Sequence, residues 1–159
     1  MKVFLSLSAI SLLLVIHLGL ADDIVGKTVP PYPTGWQDLG GGCIDDDCTY
    51  SLGKFKKNKQ EFYYLSQSLP ELNHKPQWKV LSYMPMPHVE KGFEVVDFAC
   101  QLNGNGEGPL DATIIAVVKT IDAELYKTIQ SAYRVNTTTG RFENISTDGV
   151  VCIKQGWEQ

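Results

Sequence analysis

Few side chains in this 159-residue chain have the type and spacing to do chemistry. Met84-Pro85-Met86-Pro87-His88 alternates two thioethers and an imidazole with prolines that hold the backbone extended, so Met84, Met86 and His88 fall on one side. Two soft sulfur ligands and an imidazole suit Cu(I), an ion an exported protein meets more readily than a cytosolic one. The competing reading, which the sequence favours, is a proline-interrupted strand end whose methionines fill irregular core gaps. Four cysteines, Cys43, Cys48, Cys100 and Cys152, are separated by four, 51 and 51 residues. These gaps lack the C-x₂-C knuckles of a zinc site, and an even number in an exported chain reads as disulfides. Of the three possible connectivities, Cys43–Cys48 closes a tight loop and Cys100–Cys152 joins two expected strands. Sulfur used in this way supplies no nucleophile and no redox couple.

Other chemistry is harder to assemble. His17 lies in the leading apolar segment, which leaves His74 and His88, and no G-x-S-x-G elbow accompanies either. The one acidic cluster, Asp45-Asp46-Asp47, sits inside the expected disulfide loop, where consecutive residues diverge instead of facing each other across a cleft as glycoside chemistry requires. Asn103-Gly104-Asn105-Gly106-Glu107 has the outline of a calcium loop, but the pattern would begin at Gln101 and place Ala112 where a bidentate Glu is needed, so it reads as a turn. No enzyme and no cofactor are expected. Asn136-Thr137-Thr138 and Asn144-Ile145-Ser146 are glycan acceptors in a eukaryote and ordinary turn and strand residues in a bacterium, the source the sequence leans towards. Trp157 sits near the C-terminus, where packing is sparse, and is the aromatic residue placed to act as a binding anchor.

The elements that hold these residues follow from the pattern of the chain. Lys2 precedes an apolar run that ends at Gly19-Leu20-Ala21 before Asp22-Asp23, the layout of a cleaved signal peptide over 1–21; an uncleaved membrane anchor is the other reading. Cleavage leaves 138 residues and, with Lys2 gone, 13 basic against 18 acidic side chains. That balance is wrong for nucleic acid, and no second apolar run is long enough to span a membrane. Residues 22–159 then form one domain, entered through the extended segment that holds Pro30-Pro31-Tyr32-Pro33. Strands are expected at 78–84, at 96–102 from strict alternation, at 112–119 from an Ile- and Val-rich run, at 141–145 and at 150–153. A hairpin joins 95–102 to 112–120. Asp122 is placed to cap a helix in which Leu125, Ile129, Ala132 and Tyr133 share a face. The expected fold is α+β: an antiparallel sheet of four to five strands with one helix packed on a face, and two disulfides.

Ala132-Tyr133-Arg134, Thr139-Gly140-Arg141-Phe142-Glu143, Thr147, Gly149, Cys152 and Gly156-Trp157 together resemble the closing stretch of small uncharacterised bacterial exported proteins, over about the last third of the chain. The resemblance implies a cell-envelope or secreted location and brings no activity, substrate or catalytic residue. The expectation is therefore a secreted or periplasmic, non-enzymatic binding protein with a protein partner in the envelope or outside the cell. A small acidic fold of this kind suits inhibition of a basic extracellular enzyme through charge steering. A copper-binding protein using Met84, Met86 and His88 is the alternative, and a small secreted hydrolase the second alternative.

Overall fold

The computed structural model describes residues 24–102 and 104–156; the expected signal segment, Asn103 and Trp157 lie outside these residues. The described chain is all-β, which corrects the α+β expectation. In chain order the strands are β1 (Thr28–Val29), β2 (Trp36–Cys43), β3 (Tyr50–Lys57), β4 (Gln60–Leu72), β5 (Lys75–Pro85), β6 (Phe93–Asp97), β7 (Cys100–Leu102), β8 (Ile114–Lys119), β9 (Leu125–Tyr126), β10 (Ile129–Asn136), β11 (Arg141–Ile145) and β12 (Val150–Ile153). They form three antiparallel sheets of order β1-β5-β4-β3-β2, β11-β10-β8-β6 and β7-β12-β9.

The expected helix is replaced by β9 and β10. Ile129, Ala132 and Tyr133 have helical spacing, but a register shift between Ile129 and Ser131 gives the same sequence two buried strand faces. Ile129 and Ala132 enter one core, while Tyr133 and Val135 enter another. β10 is flanked on both sides by partners, β8 and β11, and this ladder outweighs a modest helical preference. The strand expected at 96–102 is two strands in different sheets. Phe98 adopts a positive φ of 59° that ends β6, so β6 pairs with β8 while β7 pairs with β12.

Two tight hairpins build the five-stranded sheet. Asn58 and Lys59 join β3 to β4, and Asn73 and His74 join β4 to β5; all four have positive φ, between 49° and 70°. This is the two-residue turn whose twist matches antiparallel strands. His74 is thereby committed to a hairpin tip.

Burial follows the strand period. Leu52, Tyr63, Leu65, Ile115 and Val135 fill the space between the five- and four-stranded sheets. The far side of the four-stranded sheet packs Ile114, Ala116, Val118 and Ala132 against Cys100, Tyr126, Val150 and Cys152 of the three-stranded sheet. The outer side of the five-stranded sheet carries Val29, Trp36, Phe55, Phe62, Tyr64 and Val80, covered by Ile24 ahead of β1 and Tyr32 of the segment between β1 and β2. β8 is buried on both faces, which accounts for its unbroken apolar run. Both expected disulfides, Cys43–Cys48 and Cys100–Cys152, are formed. Cys100 and Cys152 are directly opposed on β7 and β12, stapling the three-stranded sheet, and two disulfides are compatible with an extracellular or periplasmic protein.

Candidate functional site

One end of the molecule brings together two segments far apart in sequence. The first is the loop closed by Cys43–Cys48. The Asp45 carboxylate turns inward to accept from the Tyr50 backbone N–H at 3.0 Å, and Ile44 N–H donates to Tyr50 C=O at 3.1 Å. This local use of Asp45 leaves Asp46 and Asp47 exposed on the outside of the loop. Consecutive acids diverge here, as an extended loop requires.

The second segment runs from Gln101 to Ala112. Asp111 anchors its end: Oδ1 accepts from the Thr113 N–H and hydroxyl, and Oδ2 accepts from Arg134 Nη2 at 2.9 Å. Burial pushes the Asp111 pKa upward, but the Thr113 hydrogen bonds and the Arg134 guanidinium more than offset this and hold it below the ordinary carboxylate value. Asn105 and Glu107 fold the turn on itself, with Asn105 Nδ2 donating to Glu107 at 2.7 Å and Glu107 N–H donating back to the Asn105 side chain at 3.0 Å. Gln101 lies beneath this turn and is 2% exposed. Its Nε2 has no hydrogen-bond partner among the described residues, an exceptional state for a buried amide. Gly104 and Gly108 sit so close to the Gln101 side chain that a Cβ at either position would collide with it.

Between the two segments lies a cleft of about 540 Å³, within the size range of ligand sites. Asp45, Asp46 and Asp111 contribute carboxylates, Gln101 and Asn105 contribute amides, and Ile44, Leu102 and Leu110 contribute apolar surface. No Lys or Arg lines it among the described residues. Asp45 and Asp111 are already hydrogen-bonded, so Asp46 is the carboxylate left to meet an incoming group.

The other residues singled out from sequence are dispersed. Met84 and Met86 both pack against the core between the two larger sheets, while His88 is exposed in the loop after β5. No three His, Cys, Asp or Glu side chains converge in a metal-binding arrangement among the described residues. Neither His74 nor His88 is hydrogen-bonded to a serine or carboxylate among those residues. Trp157 lies outside them.

A buried polar contact that sequence reasoning missed joins the two larger sheets. Asp97, on β6, accepts from the Tyr63 hydroxyl at 2.5 Å and pairs with Lys54 Nζ at 2.7 Å. Tyr63 is fully buried, and this burial together with the carboxylate holds its phenol well above the ordinary value. Beside it, in a recess of about 220 Å³, burial and hydrogen bonding to Glu94 push the Tyr126 phenol up to about 12. The signal for Asp97 was its charge at the end of the apolar Val95-Val96 pair. Alternation alone assigned that position to solvent. Against known protein families, curated proteins and solved structures, the chain has no match.

Proposed function

We propose that the protein acts after export as a non-enzymatic binding protein, secreted or periplasmic, and that the cleft between the Cys43–Cys48 loop and the 101–112 segment receives a basic side chain of a protein partner. The observation that carries this reading is the composition of the cleft: three carboxylates from two distant segments, of which, among the described residues, only Asp111 has a cation, Arg134, beside it. A Lys or Arg projecting from a partner meets Asp46 at the exposed edge of the loop. The acidic balance of the chain steers such a partner towards the site, and the disulfide holds the acidic loop in place, which lowers the ordering cost of binding. A basic extracellular enzyme is one partner of this chemistry, and in that case the protein is its inhibitor.

The test is capture from the extracellular or envelope fraction of the source organism. Secreted protein should retain a basic protein that is released by about 0.5 M salt, where the Debye length falls to a few ångströms. An Asp46→Asn, Asp47→Asn variant of unchanged melting temperature should lose it. Identical captured proteins for the two forms would refute the reading.

A further inference from the structure

A second concavity shares Cys43 with the acidic cleft. The aromatic layer on the outer face of the five-stranded sheet is roofed by the N-terminal segment only in part. Along β2, Gly40 and Gly41 bring no side chain to cover it, and a recess of about 350 Å³ opens there. Its walls are the rings of Tyr32, Tyr64 and Trp78. Tyr64 is fixed in place: its ring stacks on Phe55, with centroids 3.7 Å apart and planes within 6°, and it lies over Gly53 of the neighbouring strand, where any Cβ would strike the ring. Asp38, the one carboxylate in the lining, is exposed at the rim and held by the Gly40 N–H, which donates to Oδ1 at 3.0 Å. No Lys or Arg lines this recess either among the described residues.

Aromatic faces grouped around a carboxylate, without a resident cation, form an electrostatic environment that favours positive charge from two directions. The ring quadrupoles present negative faces, and Asp38 adds a full charge. The Tyr32 phenol, raised by burial and by its contacts with Tyr64 and Asp38, stays neutral at every physiological pH, so it adds an aromatic wall without a competing charge. We propose that this recess is a binding site for a small organic cation, a quaternary or fully substituted ammonium group seated against Trp78, Tyr64 and Tyr32 and neutralised by Asp38. An inorganic cation is poorly served, because a single carboxylate and three rings leave most of its coordination unmet. A ligand with a bulky, weakly hydrated cationic head loses little on leaving water and gains the ring contacts.

The experiment compares choline with 3,3-dimethylbutan-1-ol, which has the same shape and no charge, on the secreted protein at constant ionic strength. Backbone amide NMR shifts of Gly40, Gly41, Gly42 and Gly53 and the Trp78 indole N–H report the recess, and those of Asp46 and Gln101 report the acidic cleft. Choline should give saturable shifts confined to the recess, at least about tenfold tighter than the neutral alcohol, a factor equal to about 1.4 kcal/mol. Asp38→Asn, which keeps the size of the side chain at an exposed position, should weaken choline about tenfold and leave the alcohol unchanged. Equal affinity for the two probes would overturn the proposal by showing a merely apolar or sugar-like recess. Shifts that fail to saturate, shifts centred on Asp46, or an Asp38→Asn variant that binds choline normally would overturn it as well.

Discussion

Asp97→Ala tests whether the two larger sheets are joined by polar chemistry as well as by apolar packing. In the native protein the Asp97 carboxylate accepts from Tyr63 Oη and pairs with Lys54 Nζ. Removing it strands the hydroxyl of a tyrosine that is 0% exposed, a loss of about 1–3 kcal/mol. The ion pair adds less, because the Lys54 side chain is 35% exposed and water screens it; about 0.5 kcal/mol is a fair share. The sum is about 2.5 kcal/mol, which for a domain of this size lowers Tm by roughly 10 °C. Lys54→Met alone should therefore cost under about 1 kcal/mol. Urea unfolding followed by tryptophan fluorescence gives each value. The decisive quantity is the double-mutant coupling between Asp97→Ala and Tyr63→Phe, expected at about 1.5 kcal/mol. Effects of the two substitutions that add to within about 0.4 kcal/mol would refute the reasoning. The sign of the alkaline response follows from the same contact. The folded-state pKa of Tyr63 lies above its unfolded value of about 10, so its contribution is complete below pH 10 and is lost as pH rises further. Tyr63→Phe should flatten that alkaline decline.

Replacing Cys100 and Cys152 by Ala opens a bridge of sequence separation 52 and should destabilise by about 4 kcal/mol, against about 2 kcal/mol for the pair Cys43 and Cys48, in the chain-entropy treatment of loop closure; thermal melts of the two double variants check the order. Gly53→Ala drives a Cβ into the Tyr64 ring and should cost about 1–3 kcal/mol by overpacking. Gly42→Ala, whose Cβ would meet Phe98 at an ordinary 3.4 Å, should cost under about 0.5 kcal/mol; equal losses in denaturant titrations would contradict the packing described. Asp111 has a lowered folded-state pKa, so its contribution is present above its unfolded value near 3.9 and is lost as pH falls through the folded value. Asp111→Asn should therefore show a shallower loss of stability between about pH 4 and pH 2, measured by unfolding at each pH.

The strands read most directly from the sequence are those where one signal acts alone. β11 and β12 coincide with their expected bounds because each is short and bounded by turn residues. The disulfide pairing was legible for a similar reason: spacing left few geometries, and opposed strands supply the one that fits. The helix failed where two signals competed. Leu125, Ile129, Ala132 and Tyr133 lie four, three and one residues apart, a spacing that a helix explains with one face. A strand with a register shift explains it with two faces, but only when layers lie on both sides. That information resides in β8 and in the remaining sheets, not in the segment itself. β4 was invisible for the same reason: Phe62-Tyr63-Tyr64-Leu65 is apolar at every position because it feeds two cores at once. The acidic loop was visible as a cluster, whereas Gln101 and Asp111 were not. Nothing in their local sequence says that they face residues near position 46, more than fifty positions away.

This layering also determines where function can reside. Both faces of the four-stranded sheet are covered, one by the five-stranded sheet and the other by the three-stranded sheet, so neither is open to a ligand. The five-stranded sheet is covered within and, outside, roofed in part by the N-terminal segment. Two of the concavities among the described residues lie at the strand ends and at the gap in that roof. The Cys43–Cys48 loop lies where these two regions meet, since Cys43 lines both the acidic cleft and the aromatic recess. A disulfide in a loop of this size contributes about half as much to global stability as the Cys100–Cys152 bridge, yet it sets the position of a wall shared by two concavities. If the two concavities bind as proposed, its loss should weaken both interactions by more than its effect on unfolding implies, because the ordering cost removed by the bridge would return on association.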